Sequence, residues 1–94
     1  MDNFFENLEY EEATELQLLS KLIHELRENR HAVLKPYGAE DEAALLQQIQ
    51  TGAVDEHPAY EHYLAARVLA DTRETVRAMV GERLKKAIDT ARYV

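Results

Sequence analysis

Between Pro58 and Tyr93 the chain places Leu64, Val68, Thr72, Val76, Val80, Leu84 and Ile88 at every fourth position. An α-helix turns once per about 3.6 residues, so such residues stack along one side. The stretch reads as one long helix over about 58–93, with the other segments folding against it. Each step of four advances the stripe by about 40° around the helix, whereas a seam of period 3.5 drifts the other way. Leu64 and Val68 are therefore expected to meet one neighbour and Leu84 and Ile88 another. A helix crossing of the steep ridge class would serve the same pattern. Gly81 sits inside this pattern and costs about 1 kcal/mol against alanine. It marks either a close helix approach or a kink.

A second long helix is predicted over about 3–34. Phe5, Leu8, Glu12, Leu16, Leu19, Ile23, Leu26, Arg30 and Val33 recur at spacings of three and four, and Phe4, Leu18 and Leu22 widen that face. Asp2 or Asn3 offers an N-cap, and the following glutamates suit the positive end of the helix dipole. Lys35-Pro36-Tyr37-Gly38 ends the run, because proline disfavours helix in the residue before it and glycine accepts a positive φ. A short helix over about 40–51 follows, opening on Glu40, Asp41 and Glu42 and closing at Gly52. Pro58 then suits a helix start. With only three glycines and two prolines the chain has few turn signals, as an all-α fold requires.

A helix of ~35 residues is ~52 Å long. A compact chain of this size has a radius of gyration near ~13 Å. A hairpin of two such helices leaves apolar flanks open unless a second copy covers them. The expected architecture is thus two long antiparallel helices with a short connecting helix, completed as a bundle by homodimerisation. Leu64, Val68, Val76, Val80, Leu84 and Ile88, with Phe4 and Phe5, are the interface candidates.

Charge narrows the partners. The net charge is −7, and nucleic acid is disfavoured because its phosphates need a cationic surface. Residues 1–62 carry a net −10 and residues 63–94 a net +3. An antiparallel hairpin would lay the acidic start of one helix beside the basic end of the other. The same asymmetry allows an acidic surface for a basic protein partner and a smaller basic one. No apolar run approaches the ~20 residues that span a bilayer. The first residues lack the basic and apolar regions of a secretory signal, and there is no cysteine. The chain therefore reads as cytoplasmic, without a membrane partner.

Chemistry-bearing patterns are sparse. His24, Glu28 and His31 project from one face of the first helix, but opposite its apolar stripe. Glu28 and His31 also match the Glu-x-x-His element of di-metal helical bundles, whose ligands point inward. Glu12 and Glu15 fall on or beside the apolar face, where a carboxylate needs a partner. Arg83 is the expected partner of Glu12. His57 and Glu61 are one turn apart and suit a surface pair. Ser20 is the only serine, with no histidine spaced to activate it, and no glycine-rich phosphate loop occurs. The sequence favours a non-catalytic protein-interaction module. A small ferritin-like bundle holding a divalent metal is the alternative, with Glu12, Glu15, Glu28, His31 and Glu61 as ligands.

Overall fold

The computed structural model describes the backbone of residues 3–92 and the side chains of residues 10–90. It is all-helical. Helix α1 spans Asn3–Leu34, α2 spans Glu42–Gln50 and α3 spans Glu56–Arg92, and a single 3-10 turn, Lys35–Tyr37, follows α1. The two long helices pack antiparallel along most of their length, and α2 lies against α3 at the closed end. The molecule measures 66 × 18 × 16 Å with a radius of gyration of 19.3 Å. A compact chain of this length would be near ~13 Å, so the hairpin is a rod rather than a globule.

The turns follow their residues. Gly38 takes φ 60°, ψ 23° and donates its N–H to the Lys35 carbonyl at 2.9 Å. Asp41 is extended and caps α2 by accepting the Ala44 N–H at 2.8 Å. The helix therefore begins after Asp41, although the acidic run starts at Glu40. At the other end Gly52 takes φ 76°, and the N–H groups of Gly52 and Ala53 close onto Ile49 and Gln48. These bonds occupy carbonyls that the end of α2 leaves without helical partners. His57 is extended, as a residue before proline prefers, so regular α3 geometry starts at Pro58. Helix α3 runs through Gly81, and a Cβ there would meet nothing within 4 Å. Gly81 thus marks neither a helix break nor a close approach.

The seam between the long helices departs from the every-fourth ladder. Among the covered positions, Ala59, His62, Ala66, Leu69, Arg73, Val76 and Val80 of α3 and Leu16, Leu19, Ile23, Leu26, Arg30 and Val33 of α1 line the seam, with Leu34, Tyr63 and Ala70 covered beside it. Both sets alternate steps of three and four, the spacing of an antiparallel coiled coil. Only Val76 and Val80 belong to both seam and ladder. The ladder crosses the seam there and leaves it on opposite sides, with Leu64 and Val68 on one side and Leu84 and Ile88 on the other. Leu18 and Leu22, expected on the packed face of α1, lie instead outside the seam and exposed.

The densest packing is at the closed end. Leu34, Leu45, Ala59 and Ala66 form one buried cluster, flanked by Val33, Tyr37, Ala39, Ile49, Val54 and Tyr63. Leu45 is fully covered because α2 closes over the two long helices. The alanines at 59 and 66 leave room for that third helix.

Candidate functional site

The two long helices define two flanks, one on each side of their seam. Helix α2 covers the first at the closed end. Beyond α2 this flank continues into a cleft of about 240 Å³, lined by Arg27, Arg30, Ala70, Asp71, Arg73 and Glu74. The opposite flank has no third helix among the described residues. Taking the seam at steps of three and four, Leu18 and Leu22 of α1 and Val68, Thr72 and Met79 of α3 fall on it. Leu18 and Val68 are 62% and 63% exposed, and Leu22 and Met79 about 40%. A second cleft, of about 280 Å³, opens beside Met79 between Glu12, Leu16, Glu82, Arg83 and Lys86.

The interface candidates separate accordingly. Leu64, Val68, Leu84 and Ile88 are exposed. Val76 is 6% exposed and turned into the seam, with Val80 half-buried beside it. Those two already serve the hairpin. Phe4 and Phe5 lie outside the residues whose side chains are described. The sequence reading missed Met79 and misplaced Leu18 and Leu22. A signal was available: Leu16, Leu19, Ile23 and Leu26 alone satisfy the seam of α1, which leaves Leu18 and Leu22 surplus.

Ion pairs fix the closed end. Arg30 and Glu42 meet in a two-pronged contact, Nε to Oε1 and Nη2 to Oε2, the second at 2.7 Å. The hydrogen bonds from Arg30 hold the Glu42 carboxyl below the usual carboxylate range, and the same bonds raise the Arg30 guanidinium above its usual value. The contact joins the last turns of α1 to the first residue of α2. The Tyr37 hydroxyl bonds His62 Nδ1 across to α3, and Gln48 Nε2 donates to the Tyr37 carbonyl at 3.0 Å. Tyr60 and Tyr63 stack nearby with ring centroids 5.9 Å apart.

At the far end Arg83 pairs with Glu15 rather than Glu12. Glu12 lines the neighbouring cleft. The expected register was correct to about one helical turn.

The metal candidates fall apart in space. Glu15 is engaged by Arg83, and Glu61 accepts from or faces His57 Nδ1 at 2.7 Å on the surface. Glu28 and His31 stand exposed on α1. Among the described residues no three His, Asp or Glu side chains converge as a metal set. Nor is any described helix long and apolar enough to cross a membrane.

Fold and surface define a helical hairpin, stapled at one end by a third helix, with an exposed apolar patch of Leu18, Leu22, Val68 and Met79 on its open flank. The sequence matches the Uncharacterized protein MJ0235 family over residues 5–88, and the chain belongs to that family. No curated protein and no solved structure matches it.

Proposed function

We propose that this chain is a non-catalytic protein-interaction module that works as a homodimer, two hairpins joining flank to flank into a four-helix bundle. The observation that carries this reading is the open flank of Leu18, Leu22, Val68 and Met79, exposed on a rod of 66 × 18 × 16 Å. A broad face of such a rod is on the order of 1,200 Å². A stable interface needs ~800 Å² per partner, so one flank suffices. Leu18 and Leu22 lie at or near the midpoint of Asn3–Leu34, and Met79 is one turn beyond the middle of α3. A patch centred on the rod is what a two-fold axis perpendicular to it requires, since the same surface must meet itself.

Dimerisation through this flank leaves Leu84 and Ile88 on the other side. Together with the net −10 of residues 1–62, they suit a protein partner with a basic surface. The role fitting such a molecule is that of an adaptor, inhibitor or chaperone-like subunit. The chain is read as cytoplasmic, and neither cofactor nor metal is part of this proposal.

The absence of cysteine makes a site-specific test clean. Thr75 lies two turns from Val68, on the same flank and level with Leu22; His24 lies on the other flank. With a short bismaleimide, Thr75→Cys is expected to give a covalent dimer under conditions where His24→Cys stays monomeric. Equal cross-linking of both, or of neither, would overturn the proposed face.

A further inference from the structure

Leu64 lies outside the seam and outside the proposed dimer patch. It belongs to a short stripe on α3 with Tyr60, Tyr63 and Arg67. Their spacing of i, i+3, i+4 and i+7 sets them on one side of the helix, as in helices that anchor to another protein. Tyr60, Leu64 and Arg67 are exposed. The stripe is held from below. Tyr63 is half-buried and packs on the cluster of Leu34, Leu45, Ala59 and Ala66, where α2 closes the hairpin. Tyr60 stacks on Tyr63 with the ring planes 28° apart, and the Arg67 guanidinium lies over the Tyr63 ring, 5.8 Å from its centroid. Side chains ordered before contact give up little conformational freedom on binding, and tyrosine and arginine carry much of the energy at interfaces.

The charge of Arg67 is unmatched. It pairs with no carboxylate among the described residues. Glu42, whose carboxyl feels the Arg67 charge, is already bound in two prongs by Arg30. We infer that the Tyr60, Tyr63, Leu64 and Arg67 stripe docks a segment of a protein partner that presents apolar side chains to Tyr60 and Leu64 and one carboxylate to Arg67. A carboxylate is planar and takes two parallel bonds from a guanidinium, as Glu42 does from Arg30. Glu61 follows Tyr60 and faces His57 at 2.7 Å, and Asp71 stands one turn beyond Arg67. Their charge favours a single acid over an acidic run. The stripe is separate from the dimer patch and from Leu84 and Ile88, so it stands or falls independently of the proposed function.

The test adds two capped helical peptides to the full chain and follows the ring signals of Tyr60 and Tyr63 by NMR. Both peptides carry the same leucine stripe; beside the last leucine one has a glutamate and the other a lysine. A saturable shift with the glutamate peptide is expected, about tenfold weaker with the lysine peptide and about tenfold weaker in Tyr60→Ala or Leu64→Ala. Arg67→Gln is expected to abolish the preference for glutamate over lysine. All three substitutions fall on exposed positions, so each variant should keep the helical circular dichroism and the solution mass of the wild type. No saturable shift with either peptide, equal binding of the two, or binding indifferent to Tyr60→Ala would overturn the docking site. A changed solution mass in Tyr60→Ala or Arg67→Gln would place the stripe in the contact between copies of this chain and would overturn it too.

Discussion

The closed end of the hairpin and its shaft are built from the same two helices, yet they bury side chains very differently. Where α2 joins them, Leu34, Leu45, Ala59 and Ala66 are covered to 2% exposure or less. Along the shaft the best-covered side chains are Val76 at 6% and Leu26 at 9%, while Leu18, Val68, Leu84 and Ile88 stay largely open. Two helices in contact shield only the strip between them. A third element is needed to enclose a core. The chain supplies that element at one end only, and the remaining apolar surface is the strongest physical argument that another chain supplies it elsewhere.

Substitutions can break this contrast in graded steps. The largest effect is expected from Leu45→Ala, which empties the one fully covered leucine contributed by α2. Loss of about 2–5 kcal/mol is typical for such a site. Urea unfolding should show it, while Leu64→Ala, on an exposed position, should shift the curve far less.

Next comes Glu42→Gln, which removes the charge that matches Arg30 and should cost about 1–3 kcal/mol. The sign of its pH dependence is fixed. The folded-state carboxyl lies below its unfolded value because Arg30 donates to it. Its contribution is therefore full above the unfolded pKa of about 4.3, and is lost as pH falls through the folded value. Urea melts between neutral pH and pH ~3 should show a steeper acid-side loss for the wild type than for Glu42→Gln. Equal slopes would mean that the contact does not persist in solution.

Gly81→Ala is expected to stabilise the shaft by about 0.5–1 kcal/mol. The added methyl meets open space, and helix α3 is continuous there. A rise in thermal midpoint checks it, and a fall would indicate a shaft contact at residue 81. The smallest effect belongs to the exposed Glu15–Arg83 pair. A double-mutant cycle of Glu15→Gln and Arg83→Gln should give a coupling of about 0.2–1 kcal/mol that shrinks with salt.

The elements were legible in the sequence because their punctuation is local. Lys35-Pro36-Tyr37-Gly38, Asp41, Gly52 and Pro58 each impose a backbone state on their own. The α1 half of the seam was legible, Arg30 included, because its leucines and isoleucine already recur at steps of three and four. The α3 half was less so: Ala59 and Ala66 are small, and His62 and Arg73 are polar, so a reading weighted by hydrophobicity follows Leu64, Val68, Leu84 and Ile88 instead. The Arg30–Glu42 contact is hidden for a different reason. It depends on how the turn folds α2 back, which no helical period encodes. Arg83 illustrates the remaining limit: antiparallel register located its partner to one turn, but choosing Glu15 over Glu12 required the phase of both helices.

The most direct test of the central claim is the absolute mass in solution, by light scattering over a dilution series, of the wild type and of a Leu18→Glu, Val68→Glu double variant. Wild-type particles of twice the 10.8 kDa chain mass are expected, and a variant of 10.8 kDa that keeps its helical circular dichroism. A wild type of 10.8 kDa at every concentration, or a variant that still doubles, would contradict the flank-to-flank dimer.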